Sequence, residues 1–374
     1  INYTTLYHLI FVVKIKIIMK VCITGSGLSS LALANALAKT GISVDIFFLK
    51  QKQDKSRTIS ISKSNVDYFC NHVVDIKKII WKIKNIKIYS ENLDKDSLLN
   101  FDNKNEQLFS IVENYKLYEI LEKRLNQNKN IKKILKKLDY KLTKKYDLII
   151  NTDFSNELTK KFFYKKILKK YDSFAYTSVI THKKISNTIA RQIFTKKGPL
   201  AFLPISSYRT SIVYSINQKT RINQETLLSS LNRYNNFYQI KRLEKFKSFS
   251  LMSVNLRNYY HKNILAFGDL IHRVHPLAGQ GFNMTIRDIQ ELTNIIRSKI
   301  ELGLTLDASV NSEFEKKTKS RNVIFSNGID LIHEFFNLDN KINKNVLSKS
   351  VKFFGKNSFI NKSLIKMADN GNLF

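Results

Sequence analysis

The sequence predicts an α/β fold, and three stretches carry that expectation. Lys20 to Thr24 reads as a short buried strand, Gly25 to Ser30 as a tight turn and Leu28 to Lys39 as a helix. Gly41 closes that helix, and Ile42 to Leu49 is a second strand. Far down the chain, Ile264 to Phe267 is an apolar strand. An acid, a proline and a Gly-x-Gly-x-Asn turn follow, then an amphipathic helical pattern over Met284 to Ile300. Between these units residues 174–216 alternate as strands, with turn chemistry at Gly198-Pro199. The first unit, strand–turn–helix–strand, opens a Rossmann-like dinucleotide-binding core.

Composition narrows the classes. A chain of 374 residues with 43% hydrophobic and 11% aromatic residues is globular and buries a substantial core. Sixty-three Lys+Arg against 30 Asp+Glu give a formal charge of +33, which ordinarily points to nucleic acid or an anionic membrane. Here Lys, Asn, Ile, Phe and Tyr are abundant together, and the lysines are spread along the chain. Local clusters are Lys132-Lys133 with Lys136-Lys137, and Lys165-Lys166 with Lys169-Lys170. No aromatic–basic module for RNA is found, so a nucleic-acid partner is not expected, whereas a weak attraction to anionic lipid is. Cys22 and Cys70 form neither a disulfide framework nor a metal spacing, which favours a reducing compartment. The apolar run Leu9 to Ile18 is too short to span a bilayer and holds Lys14 and Lys16. Because Met19 directly precedes the first motif, residues 1–18 read as an upstream extension. The expected location is cytoplasmic, with peripheral contact at the inner face of the membrane.

Backbone-special residues concentrate in a few blocks. All three prolines (Pro199, Pro204 and Pro276) and seven of 11 glycines lie in them. Gly25-Ser26-Gly27-Leu28-Ser29-Ser30 has two glycines of G-x-G-x-x-G and a small Ser30 in the third place, which still permits close helix–strand packing. The acid that normally ends the second strand and holds ribose hydroxyls is missing. Phe48 stands there by register, and Asp45, an odd number of residues away, faces the other side. Arg57 lies in the stretch Ser56 to Ser62. Ile111-Val112-Glu113-Asn114 is expected to open a helix running to about Leu125. Asp147 and Asp153 bracket an apolar strand. Gly268, Asp269, Pro276, Gly279, Gln280, Gly281, Phe282 and Asn283 form the second glycine turn. Gly281 is expected to need a backbone geometry that valine cannot adopt. His272 and His275 lack ligands at metal spacing, so no metal is assigned.

The block Gly268 to Asn283 resembles the second flavin-binding motif of the aromatic-ring hydroxylases, the single-component FAD monooxygenases. Its Ala278-Gly279-Gln280-Gly281 is most similar to the branch that hydroxylates ubiquinone precursors. The first glycine turn, the Arg57 segment, Val112-Glu113-Asn114, the Asp147–Asp153 motif and Gly198-Pro199-Leu200-Ala201 resemble the same family in the same order. Departures are Phe48, Phe154, Ile193 in place of an arginine, Thr285 in place of a glycine, and few residues between Ile134 and Asp147, which implies trimmed strands.

The resemblance implies a three-layer FAD/NAD(P)-binding core, discontinuous in sequence (residues 19–66, 113–170 and 251–300). An inserted antiparallel substrate sheet (67–112 and 171–250) and C-terminal helices (301–374) complete it. It implies FAD as cofactor, with NAD(P)H or a protein electron donor as reductant. Dioxygen and a polyprenylated phenol would be the substrates, with transfer of one oxygen atom by way of a flavin-4a-hydroperoxide. The implied cofactor residues are Gly25, Gly27, Ser30, Arg57, Asp153, Gly268, Asp269 and Pro276 to Asn283, with Pro276 and Leu277 to Asn283 beside the flavin ring. Phe194, Phe202 and Leu203 are the candidate apolar substrate wall. A quinone-biosynthesis assembly is the implied protein context, and the competing expectation is a non-catalytic, flavoprotein-like subunit of that assembly.

Overall fold

The computed structural model describes residues 19–50, 52–91, 97–102, 106–276 and 279–342, together with 365, 366, 369 and 371. The expected upstream extension and Leu277-Ala278 of the second glycine turn lie outside the described residues. The first elements are β1 (Lys20–Thr24), α1 (Leu28–Ala38), β2 (Ser43–Phe47), β3 (Thr58–Ser62), α2 (Lys63–His72), β4 (Ile80–Ile83), β5 (Asn85–Ser90) and β6 (Leu99–Asp102). Next come β7 (Phe109–Glu113), α3 (Asn114–Gln127), β8 (Ile131–Ile134), β9 (Leu148–Asn151), α4 (Glu157–Phe162), β10 (Lys166–His182), β11 (Ile189–Thr195) and β12 (Gly198–Pro204). The chain continues through β13 (Arg209–Ile216), α5 (Gln224–Tyr234), β14 (Ile240–Leu243), β15 (Lys247–Leu256), β16 (Tyr260–His261) and β17 (Ile264–Ala266). β18 (His272–Arg273), α6 (Gly281–Glu301) and α7 (Ala308–Ile342) follow.

Val21, Cys22 and Ile23 are wholly buried, as a central parallel strand covered on both faces should be. β1 pairs in parallel with β2 (Val21 opposite Val44) and with β9 (Val21 opposite Leu148). The sheet order is β16-β17-β9-β1-β2-β8, with β16 antiparallel at one edge. α1 is made mostly of small and apolar residues, and every residue from Ser30 to Ala38 is buried. Its one amide, Asn35, donates to the carbonyls of Leu31 and Leu121, which joins α1 to α3 without leaving that donor unpaired. Between β8 and β9 the chain makes a 3-10 turn (Tyr140–Lys145) and no strand.

The second sheet runs β18-β15-β10-β13-β12-β11-β5-β6, with β14 on β10. Its β11–β5 pair is parallel and its other pairs are antiparallel. One face carries Leu200, Phe202, Ile212 and Tyr214 into a core with Leu227 and Leu231 of α5. A third, smaller sheet is β3-β7-β4. Two expected boundaries therefore fall differently. β15 carries the large sheet to Leu256, past residue 250, and residues 67–112 are divided, with β5 and β6 in the large sheet and β4 and β7 in the small one. Ile111 to Glu113 finish β7 rather than start a helix. The β-branched Ile111 and Val112 pair with Ser60 and Ile59 on one side and Trp81 and Ile80 on the other, and α3 begins at Asn114. Among the described residues no helix is long and apolar enough to cross a membrane.

Candidate functional site

A cavity of about 1130 Å³ lies where the three sheets meet. Thr24, Phe47, Phe48, Thr152 and Asp153, at the C-terminal ends of β1, β2 and β9, line one part of it. This is the crevice where open parallel sheets take their ligands. Ile83, Ile88, Leu99, Leu203 and Phe325 line an apolar part farther along.

Two helices open onto this space at their positive ends. α1 starts at Gly27 and α6 at Gln280, and neither residue makes a side-chain cap hydrogen bond. Free N–H groups at such an end, with the helix dipole behind them, suit an electron-rich group. Gly25, at φ +135°, sits so close to β9 that a Cβ would come within 1.9 Å of Thr152 Oγ1. Gly279, at φ +62°, would place a Cβ 2.9 Å from Ser60 Oγ. Gly281 corrects the expectation made for it. It opens α6 without a positive φ, and a Cβ there would meet only Val274 Cγ2, at 3.7 Å. Its hydrogen leaves space beside the cavity, which it lines.

Of the residues singled out from the sequence, Gly25, Gly27, Arg57, Asp153, Asp269, Pro276, Gly279, Gln280, Gly281, Phe282, Phe194 and Leu203 line the one cavity. Gln280 is 4% exposed, and its Oε1 has no hydrogen-bond partner among the described residues. A buried orphan acceptor at a helix start is costly unless a ligand donates to it. Asp269 is exposed at the cavity wall, and the guanidinium of Arg57 lies 5.1 Å from the centre of the Phe249 ring. Asp153 Oδ1 accepts from Ser155 N and Oγ, both at 2.8 Å, so one of its oxygens is spent on the local turn. Phe154 is exposed and makes that turn without a positive φ.

Four residues sit elsewhere. Ser30 is buried, and its Oγ donates to Gly27 O at 2.8 Å, so it closes the first helical turn. Gly268 packs beneath α1, where a Cβ would lie 2.7 Å from Ser29 Oγ. Asn283 faces the small sheet: its Oδ1 accepts from Ser62 N at 2.9 Å and Asn65 Nδ2, and its Nδ2 donates to Ser60 O. Phe202 was paired with Leu203 as substrate wall, but neighbours along a strand face opposite sides. Leu203 lines the cavity, whereas Phe202 packs against Phe237 and Tyr238 beneath α5.

Behind the turn, His272 Nε2 lies 2.5 Å from Asp288 Oδ2, and Asn322 Nδ2 donates to the same carboxylate at 3.1 Å. This pair fixes β18, α6 and α7 together. Phe48 is 2% exposed at the cavity, with Lys133 Nζ 5.1 Å from its ring centre, and Lys136 and Lys137 also line that end. Asp45 is turned away and accepts from Tyr146 Oη at 2.7 Å. Burial and that bond raise the Tyr146 phenol above its usual range. Sequence reasoning passed over Phe325 and Ile329 of α7 as well, whose i, i+4 spacing with Ile332 at i+7 was the available signal. The uncapped helix starts fit the acceptor oxygens of a dinucleotide, and the orphan Gln280 oxygen fits a ring that carries a hydrogen-bond donor.

Comparison with known proteins agrees with this geometry. Residues 169–301 match the FAD binding domain family. The ubiquinone biosynthesis monooxygenase COQ6 of Drosophila melanogaster is 23% identical over 394 residues, covering 84% of this chain and 82% of that protein. The COQ6 of Danio rerio is 24% identical over 44% of this chain and 43% of its own length. Escherichia coli 3-demethoxyubiquinol 3-hydroxylase is 27% identical over 39% of each. Several of these matches span less than half of the relative's length. In structure, p-nitrophenol 4-monooxygenase PnpA of Pseudomonas putida DLL-E4 superposes with a TM-score of 0.77 at 11% identity, over 94% of this chain and 98% of that one. Klebsiella pneumoniae HpxO, solved with FAD and uric acid, gives 0.73 at 13% identity over 95% and 98%. In sequence the chain is thus similar to the ubiquinone ring hydroxylases, and in fold to the FAD-dependent monooxygenases.

Proposed function

We propose that the protein is an FAD-dependent monooxygenase that hydroxylates the ring of a polyprenylated phenol in quinone biosynthesis. The observation that carries this reading is the continuity of the cavity. At about 1130 Å³ it exceeds the roughly 300–1,000 Å³ typical of a single drug-sized ligand, and it runs from the glycine turns into an apolar pocket. There is room for a dinucleotide and a second, greasy molecule in contact with it.

FAD, reduced by NAD(P)H or a protein donor, would supply the activated oxygen, one atom entering the ring C–H bond and the other leaving as water. The chain's own residues bind, orient and keep water out. The N–H groups after Gly27 would take the pyrophosphate, with Arg57 adding charge. Asp269 would accept from a ribityl hydroxyl. Pro276, Gly279, Gln280 and Gly281 would flank the flavin ring, close because two glycines leave space there. Phe194, Leu203, Phe325 and Ile329 would hold the phenol and its tail, and their apolar surface excludes the water that would waste the oxygen.

Purified protein supplied with FAD, a reductant, dioxygen and a 2-polyprenylphenol should yield a product heavier by one oxygen atom, taken from labelled dioxygen. Flavin binding without any such product across reductants would favour the second reading, a non-catalytic assembly subunit. Phe48 in place of the ribose-binding acid is the observation that favours it.

A further inference from the structure

A second cavity, of about 340 Å³, lies between α2, α6, α7 and Asp369, and nothing in the proposed reaction uses it. Arg287 of α6 and Arg321 of α7 both line it. Arg287 is 8% exposed, its guanidinium is held 4.8 Å from the centre of the Phe325 ring, and Gly371 packs against it. Even so, among the described residues Arg287 Nη1 has no hydrogen-bond partner, and neither have Arg321 Nε and Nη2.

The nearby carboxylates do not satisfy these donors. Asp288 lies 3.6 Å from Arg321 Nη2, beyond hydrogen-bond range, and its oxygens already receive His272 and Asn322. Glu291 pairs with Lys317 at 3.3 Å. Asp369 Oδ1 accepts from Ser64 N and Oγ, at 3.0 and 2.9 Å. Two neighbouring guanidinium groups thus keep three buried N–H sites unused, a costly arrangement for charged groups in a protein interior. Burial first, and then the like charge of Arg321, pull the Arg287 pKa down to about 10, so it remains a cation at neutral pH.

We propose that this second cavity is an oxyanion site that takes a phosphate or phosphate monoester between the guanidinium groups of Arg287 and Arg321. Several acceptor oxygens on one centre match two planar donor forks, which a carboxylate with its two oxygens does less completely. The bound anion would join α6 to α7 on the far side of Phe325, whose ring also lines the large cavity.

The test is equilibrium dialysis against labelled inorganic phosphate at constant ionic strength, so that a chain of charge +33 does not register non-specific anion binding. It is run with and without FAD, because the α1 start is another anion site. A parallel arm measures binding to phosphatidylcholine vesicles with and without phosphatidic acid, which separates a free phosphate from a lipid headgroup. The expected result is saturable binding in at least one arm, unaffected by FAD and weakened at least about ten-fold in Arg321→Gln. Arg321→Lys, which keeps the charge and loses the fork, should weaken it as well and guards against misfolding of the first variant. Absence of saturable binding in both arms, displacement by FAD, or unchanged binding in both variants would overturn the assignment.

Discussion

Gly281 and Gly25 line the same cavity for different reasons, and substitution separates them. In Gly281→Val the new Cβ meets one methyl group at ordinary contact distance, 3.7 Å, and the backbone is helical. Glycine and valine differ by only a few tenths of a kcal/mol in helix propensity, so unfolding free energy should change by less than about 0.5 kcal/mol. The branched side chain instead fills space that a bound ring would use. Overpacking of that kind costs about 1–3 kcal/mol, or about one to two powers of ten in FAD affinity. In Gly25→Ala the order reverses. A φ of +135° is strained for any L side chain, by about 1–3 kcal/mol, and the methyl would sit 1.9 Å from Thr152 Oγ1. Rotating Thr152 away gives up its bond to Thr24 O, about 1 kcal/mol more, for a total of about 2–4 kcal/mol of stability. Urea midpoints on FAD-free protein and fluorescence-quench titration with FAD read the two effects separately. Full FAD affinity in Gly281→Val, or a Gly25→Ala protein within about 0.5 kcal/mol of wild type, would refute the reasoning.

Two other outcomes follow from the same geometry. Phe48→Glu should tighten FAD binding by about one to two powers of ten, the worth of a hydrogen bond from a ribose hydroxyl to a charged group, with Lys133, Lys136 and Lys137 at hand to offset the new charge. Titration showing unchanged or weaker binding would mean that Phe48 does not face the ribose. Leu203→Asp should abolish binding of a polyprenylphenol, measured by flavin-spectrum perturbation, while FAD affinity holds. Phe202→Ala, on the opposite face of β12, should lose about 3–5 kcal/mol of stability and leave the ligand dissociation constant alone; the reverse pattern would exchange their roles.

How far the sequence could be read depended on what each residue answers to. Lys20 to Thr24 and the helix after Gly27 were legible because burial on both faces and glycine punctuation are local signals. The glycine turns were legible as blocks but not residue by residue. Gly279 and Gly281 look alike in sequence, and only the fold gives one a positive φ and the other a helical one. Asn283 and Ser30 satisfy backbone groups rather than face the cavity, a choice set by β3 and by the first turn of α1. Phe202 failed for a reason the sequence did contain, since alternation along β12 forbids it from joining Leu203 on one wall. Ile111 to Glu113 read as a helix start because α3 follows at once, yet their partners Ser60 and Trp81 are distant in sequence. Phe325 and Arg287, on consecutive helices but well apart in sequence, meet through tertiary packing that no local pattern encodes.

If the cavity between the two glycine turns holds FAD beside an apolar substrate pocket, the protein must retain flavin. Reconstituting the purified protein with FAD, removing the excess and recording the visible absorption spectrum tests it most directly. The expected result is a bound, non-covalent flavin at one per chain, released on denaturation, whose spectrum shifts when a 2-polyprenylphenol is added. A protein that stays colourless after refolding with FAD would contradict it.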